Sequence, residues 1–355
     1  DAGLPVTCTY TNTRTSNEVK LQKKWVNGVK DDTAALTVVG GTGNDKNATS
    51  TSNGDKGAWT DTTNVAESTV DSGDTFSVTE VLGAGNAGSY TSGVECKSGD
   101  NVITPDNKGQ YTMPNSAVTC TYTNTLKTGK LEITKVFDAK NSGFNGKFTI
   151  TYNCVADYDG SVQLSGSPAG ESAPEITVPV GDCSFDEPTL PNAPANWTFD
   201  AATFDPASKS VAVEEGKTAK AKVTNVITRD TADLLLKKKV SGGSAEAKDW
   251  TLTGTTPVTP VKDYSGKGDA TQFQTVWAGE PYTLDESGPA DYTPGTWTCT
   301  DQDNKPVTVT GGKVTVDKGD QVTCEITNTR QTGELKLVKH VTGDNNAKGP
   351  NDWDL

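Results

Sequence analysis

The chain has 355 residues, with 32 lysines and arginines against 46 aspartates and glutamates, and its formal net charge is −14 at pH 7. This acidity argues against nucleic acid and anionic membrane surfaces as partners, because both repel an acidic protein. No apolar run is long enough to cross a bilayer, so we expect no membrane insertion in this segment.

Residue usage favours β-structure. Only 32% of the residues are apolar, Thr, Gly, Asn and Asp are abundant, and there is a single Met. Such a composition is typical of short strands that are joined by polar turns. We therefore predict an all-β fold, and the length allows two to four domains.

Seven cysteines accompany a single histidine, and no two cysteines have the C-x-x-C spacing of many zinc sites. A zinc site would lack ligands, whereas disulfides would fit an oxidising, extracytoplasmic compartment. Two acidic turns, at 301–304 and 342–346, carry oxygens of the kind that bind Ca²⁺, but neither has the full ligand set. We predict no metal and no cofactor.

A nine-residue sequence motif, which we call the last-strand phrase, recurs four times. It reads VTCTYTNTR at 6–14, VTCTYTNTL at 118–126, AKAKVTNVI at 219–227 and VTCEITNTR at 322–330. Its asparagine falls at Asn12, Asn124, Asn225 and Asn328, at intervals of 112, 101 and 103 residues. Each interval is the size of one small β-sandwich domain, so the repeat unit is a domain.

A short apolar strand that ends in lysine follows each phrase. It reads VKLQK at 19–23, LEITK at 131–135, LLLKK at 234–238 and LKLVK at 335–339. The two phrases lie on either side of each junction between domains. They predict whole repeats at 17–126, 127–227 and 228–330, which we call repeats one, two and three. Residues 1–16 are then the last strand of an incomplete upstream repeat, and residues 331–355 begin a downstream one. The chain is expected to be part of a longer, elongated array.

Cysteine placement follows the same repeat. A cysteine lies four residues before the repeat asparagine in three of the four phrases, at Cys8, Cys120 and Cys324. The latter two have a second cysteine one strand upstream, which predicts the pairs Cys96–Cys120 and Cys299–Cys324. Repeat two has Ala221 at this position and carries Cys154 and Cys183 elsewhere, which predicts a third bridge. Cys8 is left unpaired because its partner would precede the first residue.

Period-two alternation places three polar residues of each repeat on the inward face of its strand. The strand-ending lysine shares a face with apolar residues two and four positions earlier, as Lys135 does with Leu131 and Ile133. The same test points the repeat asparagine and a strand-ending glutamate inward. The inward residues are Lys23, Glu80 and Asn124, then Lys135, Glu187 and Asn225, then Lys238, Glu286 and Asn328, with Asn12 and Lys339 as their equivalents near the chain ends.

The burial of the lysine, glutamate and asparagine side chains predicts that they react with one another. Burial favours the neutral lysine amine and the protonated glutamate carboxyl. A neutral amine is a nucleophile, and a protonated carboxyl can polarise the carboxamide and pass on the proton that lets ammonia leave. The product would be a Lys–Asn amide bond that joins the first strand to the last.

Simpler interpretations exist for each residue alone. A strand-end lysine can extend to solvent while its stem covers the core, an asparagine before a junction can be a turn residue, and a glutamate can face the rim. Lys24, Lys237 and Lys239 are neighbouring candidates for the reactive lysine, and period two disfavours them unless a β-bulge shifts the register. The Gly-to-Glu spacing before Glu187 is one residue shorter than in the other repeats.

The pattern resembles the SpaA-type or CnaB-type, prealbumin-like domains of pilins and adhesins from Gram-positive bacteria, actinobacteria in particular. The stretch YTLDESGPADY at 282–292 is similar to the family's Glu-box, Y-x-L-x-E-x-x-x-P-x-G-Y, but it is one residue shorter and has Asp291 in place of Gly. The other boxes depart further, because Pro188 follows Glu187 and only Gly88 and Tyr90 match the ending near Glu80. The resemblance implies tandem Ig-like sandwiches with self-formed isopeptide bonds. The implied bonds are Lys23–Asn124, Lys135–Asn225 and Lys238–Asn328, with Glu80, Glu187 and Glu286 as the assisting residues.

We expect a structural protein: the stalk or shaft of an adhesin or pilus-like fibre, extracellular and anchored to the cell wall. Its expected partners are the neighbouring repeats of the same chain and, through a tip outside this sequence, host-surface or matrix ligands. The alternative is an adhesive module whose repeats bind a host matrix protein or glycan directly. An enzyme is not expected, because the only histidine, His340, has no nucleophile or phosphate-loop motif around it and a self-reaction that happens once per domain is not turnover.

Overall fold

The computed structural model describes residues 3, 5–44, 46–155, 158–340, 342 and 354. These residues form thirty β-strands and one short 3₁₀ helix, Ala247–Asp249. The fold is therefore all-β, which confirms the prediction from composition. No helix in the described part of the chain is long and apolar enough to cross a bilayer.

Repeat one is built from nine strands. They are β1 (Ser16–Val26), β2 (Thr33–Val39), β3 (Asn47–Thr51), β4 (Ala58–Asp71), β5 (Thr75–Leu82), β6 (Tyr90–Ser98), β7 (Asn101–Ile103), β8 (Tyr111–Thr112) and β9 (Val118–Leu126). One sheet has the order β4-β1-β9-β6-β7 and the other the order β3-β2-β5-β8. A single apolar core takes residues from both sheets, among them Leu21, Leu36 and Phe76.

Repeat two follows the same plan with ten strands. They are β10 (Thr128–Asp138), β11 (Phe148–Asn153), β12 (Asp159–Leu164), β13 (Glu171–Ser172), β14 (Ile176–Pro179), β15 (Gly181–Asp186), β16 (Trp197–Phe199), β17 (Thr203–Asp205), β18 (Ser210–Val213) and β19 (Thr218–Arg229). One sheet has the order β13-β10-β19-β16, with β14 on β10 and β17 on β19, and the other the order β12-β11-β15-β18.

Repeat three has eleven strands. They are β20 (Thr231–Ser241), β21 (Thr251–Thr255), β22 (Tyr264–Lys267), β23 (Gln274–Trp277), β24 (Pro281–Ser287), β25 (Tyr292–Pro294), β26 (Thr298–Thr300), β27 (Pro306–Val307), β28 (Val309–Thr310), β29 (Lys313–Thr315) and β30 (Gln321–Arg330). One sheet has the order β23-β20-β30-β26-β27, with β25 on β30, and the other the order β22-β21-β24-β29-β28.

The first strand of each repeat shows why these sequences form sandwiches. Along β1 the residues alternate between buried and partly exposed from Val19 to Trp25, and β10 alternates in the same way along its whole length. Alternation with period two gives a strand one apolar face, which it must cover with a second sheet. The first strand pairs in parallel with the last strand in every repeat.

Two compact units divide the chain. One contains Asp1–Asn192 and Phe199–Ile227, and the other contains Ala193–Thr198 and Thr228–Leu355. The first unit therefore holds repeat one and most of repeat two, and the second holds repeat three with a short segment of repeat two.

The described residues before Ser16 and after Arg330 form no strand. These segments include the last-strand phrase at 6–14 and the first-strand phrase at 335–339, so Asn12 and Lys339 lie in coil. A strand of this kind depends on a hydrogen-bonded neighbour and on a core to cover, and in the described residues neither phrase is paired with a strand. Their assignment to adjacent repeats stays a prediction.

Candidate functional site

The parallel pairing of first and last strands has one register in all three repeats. The lysine lies opposite the residue two positions before the repeat asparagine. The pairs are Lys23 with Tyr122, Lys135 with Val223, and Lys238 with Ile326. Residues two apart on a strand share a face, so each lysine faces its asparagine diagonally on the inner side of the sheet.

The glutamate comes from the facing sheet. Glu80 lies on β5, Glu286 on β24, and Glu187 directly after β15. The lysine, the glutamate and the asparagine of each repeat are therefore brought to one place between the two sheets, which we call the triad of that repeat.

The triad of repeat two is fully connected. The Lys135 Nζ donates to Glu187 Oε1 at 2.5 Å and to Asn225 Oδ1 at 2.5 Å. The Asn225 Nδ2 donates to Glu187 Oε2 at 2.7 Å. The side chains of Lys135 and Glu187 have no exposed surface. The shorter Gly-to-Glu spacing of this repeat thus does not keep the glutamate away from its partners.

In repeat three the glutamate connects the other two residues. The Lys238 Nζ forms an ion pair with Glu286 Oε2, and the Asn328 Nδ2 donates to Glu286 Oε1 at 2.7 Å. The Asn328 Oδ1 is buried without a hydrogen-bond partner among the described residues.

Repeat one is the least connected. The Lys23 Nζ lies 2.9 Å from Glu80 Oε1, which is an ion-pair distance. The lysine ammonium also donates to the backbone carbonyls of Lys24 and Tyr122, at 3.4 Å each. Asn124 is fully buried, and its carboxamide has no hydrogen-bond partner within the described chain.

Burial lowers the pKa of all three lysines. The pKa of Lys23 falls to about 8, and those of Lys135 and Lys238 also fall below the ordinary value. Loss of hydration is the largest cause in each case, and the neighbouring glutamate opposes it by favouring the charged ammonium. A larger fraction of each amine is consequently neutral at mildly alkaline pH than for a solvated lysine.

An aromatic ring lies under each lysine, and the sequence analysis did not include these rings. The Nζ of Lys23 is 4.5 Å from the centre of the Trp25 ring, that of Lys135 is 4.0 Å from Phe148, and that of Lys238 is 4.9 Å from Trp250. The rings attract the cation and exclude water from it. Trp25 had a sequence signal, because it shares the inward face of β1 with Lys23.

The neighbouring lysines are not in the triads. Lys24 and Lys237 are only partly buried, and Lys239 is exposed and ion-pairs with Glu325 at 2.7 Å. A register shift does occur between β1 and β4, but its extra residues lie on β4, so Lys23 keeps its inward position.

The three disulfides join Cys96 to Cys120, Cys154 to Cys183 and Cys299 to Cys324, which are the predicted pairs. Cys8 is an exposed free thiol. No cluster of three or more metal-ligating side chains occurs in the described residues. The Asp301 Oδ1 accepts hydrogen bonds from the backbone of its own turn, at Asp303 and Lys305. Most of the other acidic turn, residues 343–346, lies outside the described residues.

Each triad has the parts that acyl transfer needs. The amine is a nucleophile and the carboxamide is an electrophile. In repeats two and three a carboxyl contacts both nitrogens, where it can move a proton from one to the other. In repeat one the described contacts of the Glu80 carboxyl reach the lysine nitrogen but not the asparagine. The site is enclosed and apolar, so it excludes the water that would compete as a nucleophile.

Family comparisons agree with this architecture. Two models that are described as a prealbumin-like fold domain, both of SpaA type, match residues 18–126 and 230–326. A model described only as a domain of unknown function (DUF5979) matches residues 131–228. The chain is a tandem-repeat protein with SpaA-type prealbumin-like domains at residues 18–126 and 230–326, and it is pilin-like in this sense.

The chain is also similar to several solved structures. The Bacillus anthracis TIE protein is 16% identical over 88% of this chain and 51% of its own, with a TM-score of 0.41. The major pilin protein (T-13) from Streptococcus pyogenes is 15% identical over 58% and 97%, with a TM-score of 0.29. The pilus adhesin SpaC from Lactobacillus rhamnosus GG, in its open conformation, is 11% identical over 91% and 44%, with a TM-score of 0.25.

These structural likenesses concern the fold alone, because the identities are low. The chain spans about half, 51%, of the Bacillus anthracis TIE protein chain. No curated protein matches the sequence.

Proposed function

We propose that each repeat forms an intramolecular Lys–Asn isopeptide bond and that the chain is a structural segment of a surface stalk or fibre shaft. The contacts of repeat two carry this proposal, because one carboxyl contacts both the attacking and the leaving nitrogen. The bonds would be Lys23–Asn124, Lys135–Asn225 and Lys238–Asn328.

The reaction balances without a cofactor. The neutral lysine amine attacks the asparagine Cγ, and the C–N bond to Nδ2 breaks. The proton that the amine loses passes through the glutamate carboxyl to the departing nitrogen, which leaves as ammonia. Each bond forms once and irreversibly, so the chain consumes its own residues and has no turnover.

A mechanical function follows from where the bonds lie. Each bond would tie the first strand of a repeat to the last, so a pull on the two ends of the repeat would pass through covalent bonds instead of the sheets. Closing a loop of about 100 residues also removes unfolded-state entropy worth about 4–5 kcal/mol, on the model used for disulfides. These properties suit a shaft that holds an adhesive tip away from a Gram-positive cell surface.

The cellular location and the binding partners are part of the same proposal. We place the chain outside the cell, because disulfides persist in oxidising compartments. A surface stalk also needs an attachment, so the proposal includes anchoring of the whole protein to the cell wall. Its partners are adjacent repeats of its own chain, and host ligands bind a tip outside this sequence.

Intact mass under reducing conditions tests the bonds. We expect the full chain to be lighter than its sequence by three molecules of ammonia, and Glu187→Gln to restore one of them. Glu286→Ala should likewise restore one in repeat three. A mass equal to that of the plain sequence would exclude the isopeptide bonds and leave a disulfide-bonded stalk.

A second candidate function is direct adhesion, which a surface hollow on repeat two favours. The hollow has a volume of about 750 Å³ and is lined by Tyr152, Asn153, Asp159, Ser184, Asp186 and Lys209, among others. A tyrosine ring with amide, hydroxyl and carboxylate groups is the kind of lining that binds sugars or polar peptides. Binding of the full chain to a glycan array, lost in Tyr152→Ala, would support this candidate, and no binding would reject it.

A further inference from the structure

The disulfide of each repeat lies on a strand that carries or leads directly into one member of the triad. In repeats one and three the disulfide cysteine is four residues before the asparagine, as Cys120 is to Asn124 and Cys324 to Asn328. In repeat two it is instead four residues before the glutamate, as Cys183 is to Glu187. All six of these residues are at most 8% exposed.

The constant spacing means that cysteine and triad residue share the inward face of one stretch of chain. A slip of one residue would turn the triad residue away from the core, and a slip of two would move it by about 7 Å. A covalent bond to the neighbouring strand prevents both slips, because it fixes which residues lie opposite each other. Cys120 lies opposite Cys96, and Cys324 lies opposite Cys299.

The strand pairs that the disulfides hold differ in length. In repeat one β9 pairs with β6 over eight consecutive residues, from Tyr90 to Lys97. In repeat three β30 pairs with two separate three-residue strands, β25 and β26. In repeat two β15 pairs with β11 at only three positions, and Cys154 follows β11 directly. Among the strand pairs that the disulfides join, the pairing is therefore longest in repeat one and shortest in repeats two and three.

Repeat two has no disulfide on its asparagine strand, and aromatic rings pack beside its triad. Ala221 lies four residues before Asn225, and Phe199 is on the adjacent strand β16. The Phe199 ring packs against Phe148, at 5.6 Å between centroids, and Phe148 lies under the Lys135 ammonium. Packing thus supports the lysine of this triad, and the disulfide supports its glutamate side.

We propose that these disulfides are positioning elements for crosslinking: they hold the strand register that presents Asn124, Asn328 and Glu187 to their partners. This inference rests on the proposed isopeptide function. It implies an order of events in which the cysteines are oxidised before the crosslink forms. Two thiols lose two electrons and two protons to an oxidant such as oxidised glutathione, and ammonia loss follows on the fixed strand.

Three paired variants of the full chain test the proposal: Cys96→Ala with Cys120→Ala, Cys154→Ala with Cys183→Ala, and Cys299→Ala with Cys324→Ala. Alanine suits the positions of Cys120 and Cys324 because Ala221 already occupies the corresponding position in repeat two. Each protein is made by cell-free synthesis in a glutathione redox buffer. The rate at which each Lys–Asn crosslinked peptide accumulates is then followed by proteolysis and mass spectrometry.

Each pair should slow the crosslink of its own repeat about 10- to 100-fold, because small misplacements of reacting groups have effects of this size, and leave the other two rates unchanged. The effect should be larger in repeat three than in repeat one, since β25 and β26 are short. Unchanged rates in all three variants, or an equal slowing of every repeat, would overturn the proposal.

Two controls separate positioning from stability. Trimethylamine N-oxide stabilises the folded state but does not restore the covalent bond that fixes the strand register. The crosslinking rate of the repeat that lacks its disulfide should therefore stay low in its presence. A return to the wild-type rate would show that the disulfide acts through stability and would overturn the proposal. A wild-type chain that never loses ammonia would instead reject the isopeptide function itself, and this inference with it.

Discussion

Lys135 and Asn225 are 90 residues apart in the sequence, yet the lysine Nζ and the asparagine Oδ1 lie 2.5 Å apart in the core of repeat two. Parallel pairing of β10 with β19 creates this contact, because it brings together the two ends of one domain. A covalent bond at this point would close almost the whole repeat into a ring. The position of the triad therefore links local strand register to the mechanical behaviour of the chain.

The pH dependence of crosslinking should report the neutral fraction of the amine. Burial lowers the pKa of Lys23 to about 8, so the reactive form is the minority below that pH and the majority above it. We expect the crosslinking rate of repeat one to rise about tenfold per pH unit below pH 8 and to level off above it. Freshly synthesised chain, sampled by peptide mapping at several pH values, gives this rate. A rate that keeps rising towards the pKa of free lysine would contradict the assignment.

Two adjacent lysines of β20 provide a matched pair of variants for repeat three. Lys238→Met should abolish the bond to Asn328, because the inward amine is its nucleophile. Lys239→Met should leave that bond intact and cost at most about 1 kcal/mol, since it removes only an exposed ion pair with Glu325. Intact mass distinguishes the two variants by one ammonia. Normal ammonia loss in Lys238→Met would identify another lysine as the nucleophile.

Much of this site could be predicted from the sequence because strands have a strict period of two. The inward positions of Lys23, Lys135 and Lys238 follow from their neighbours two and four residues earlier, and the structure buries all three. The disulfide pairs followed from repeat alignment in the same way. Both deductions need only local pattern and repeat spacing.

The contacts within the triads could not be predicted in this way. They depend on how far apart the facing sheets lie and on the rotamers of long side chains, which no local pattern specifies. Repeat two, with its shortened Gly-to-Glu spacing, has the most complete set of hydrogen bonds, whereas the Asn124 carboxamide of repeat one has none within the described chain. The ring of Phe148 under Lys135 was also missed, because these residues lie on different strands that only the folded sandwich brings together.

Two tyrosines with related positions should differ in their importance for stability. The Tyr90 hydroxyl accepts a hydrogen bond from the Val29 amide at 2.9 Å and donates to the buried Asp32 carboxylate at 2.6 Å. The Tyr292 hydroxyl accepts one bond, from the Ala245 amide at 3.1 Å. Tyr90→Phe should therefore destabilise repeat one by about 2–3 kcal/mol, and Tyr292→Phe should destabilise repeat three by about 1 kcal/mol.

Hydrogen exchange of the β1 and β20 amides measures these two losses separately, repeat by repeat. Tyr10→Phe is the control, because Tyr10 is 90% exposed and should have no effect. Equal losses for Tyr90→Phe and Tyr292→Phe would mean that the Asp32 contact adds nothing to stability.

Pulling on single molecules should show that the disulfide of repeat one is protected from force. Cys96 and Cys120 lie inside the loop that a Lys23–Asn124 bond would close. Force applied to the repeat ends would therefore be carried by the Lys23–Asn124 bond and not by the disulfide. We expect the wild-type repeat to gain no length under force, with or without a reducing agent.

Asn124→Ala removes the crosslink and keeps the ion pair between Lys23 and Glu80, so this variant should unfold under load. Its extension should be limited by the disulfide, which joins two cysteines at a sequence separation of 24. Reduction should then release roughly 80 Å of additional length, at the reach of an extended chain. If reduction also lengthens the wild-type repeat under load, the disulfide carries force and the Lys23–Asn124 bond is absent.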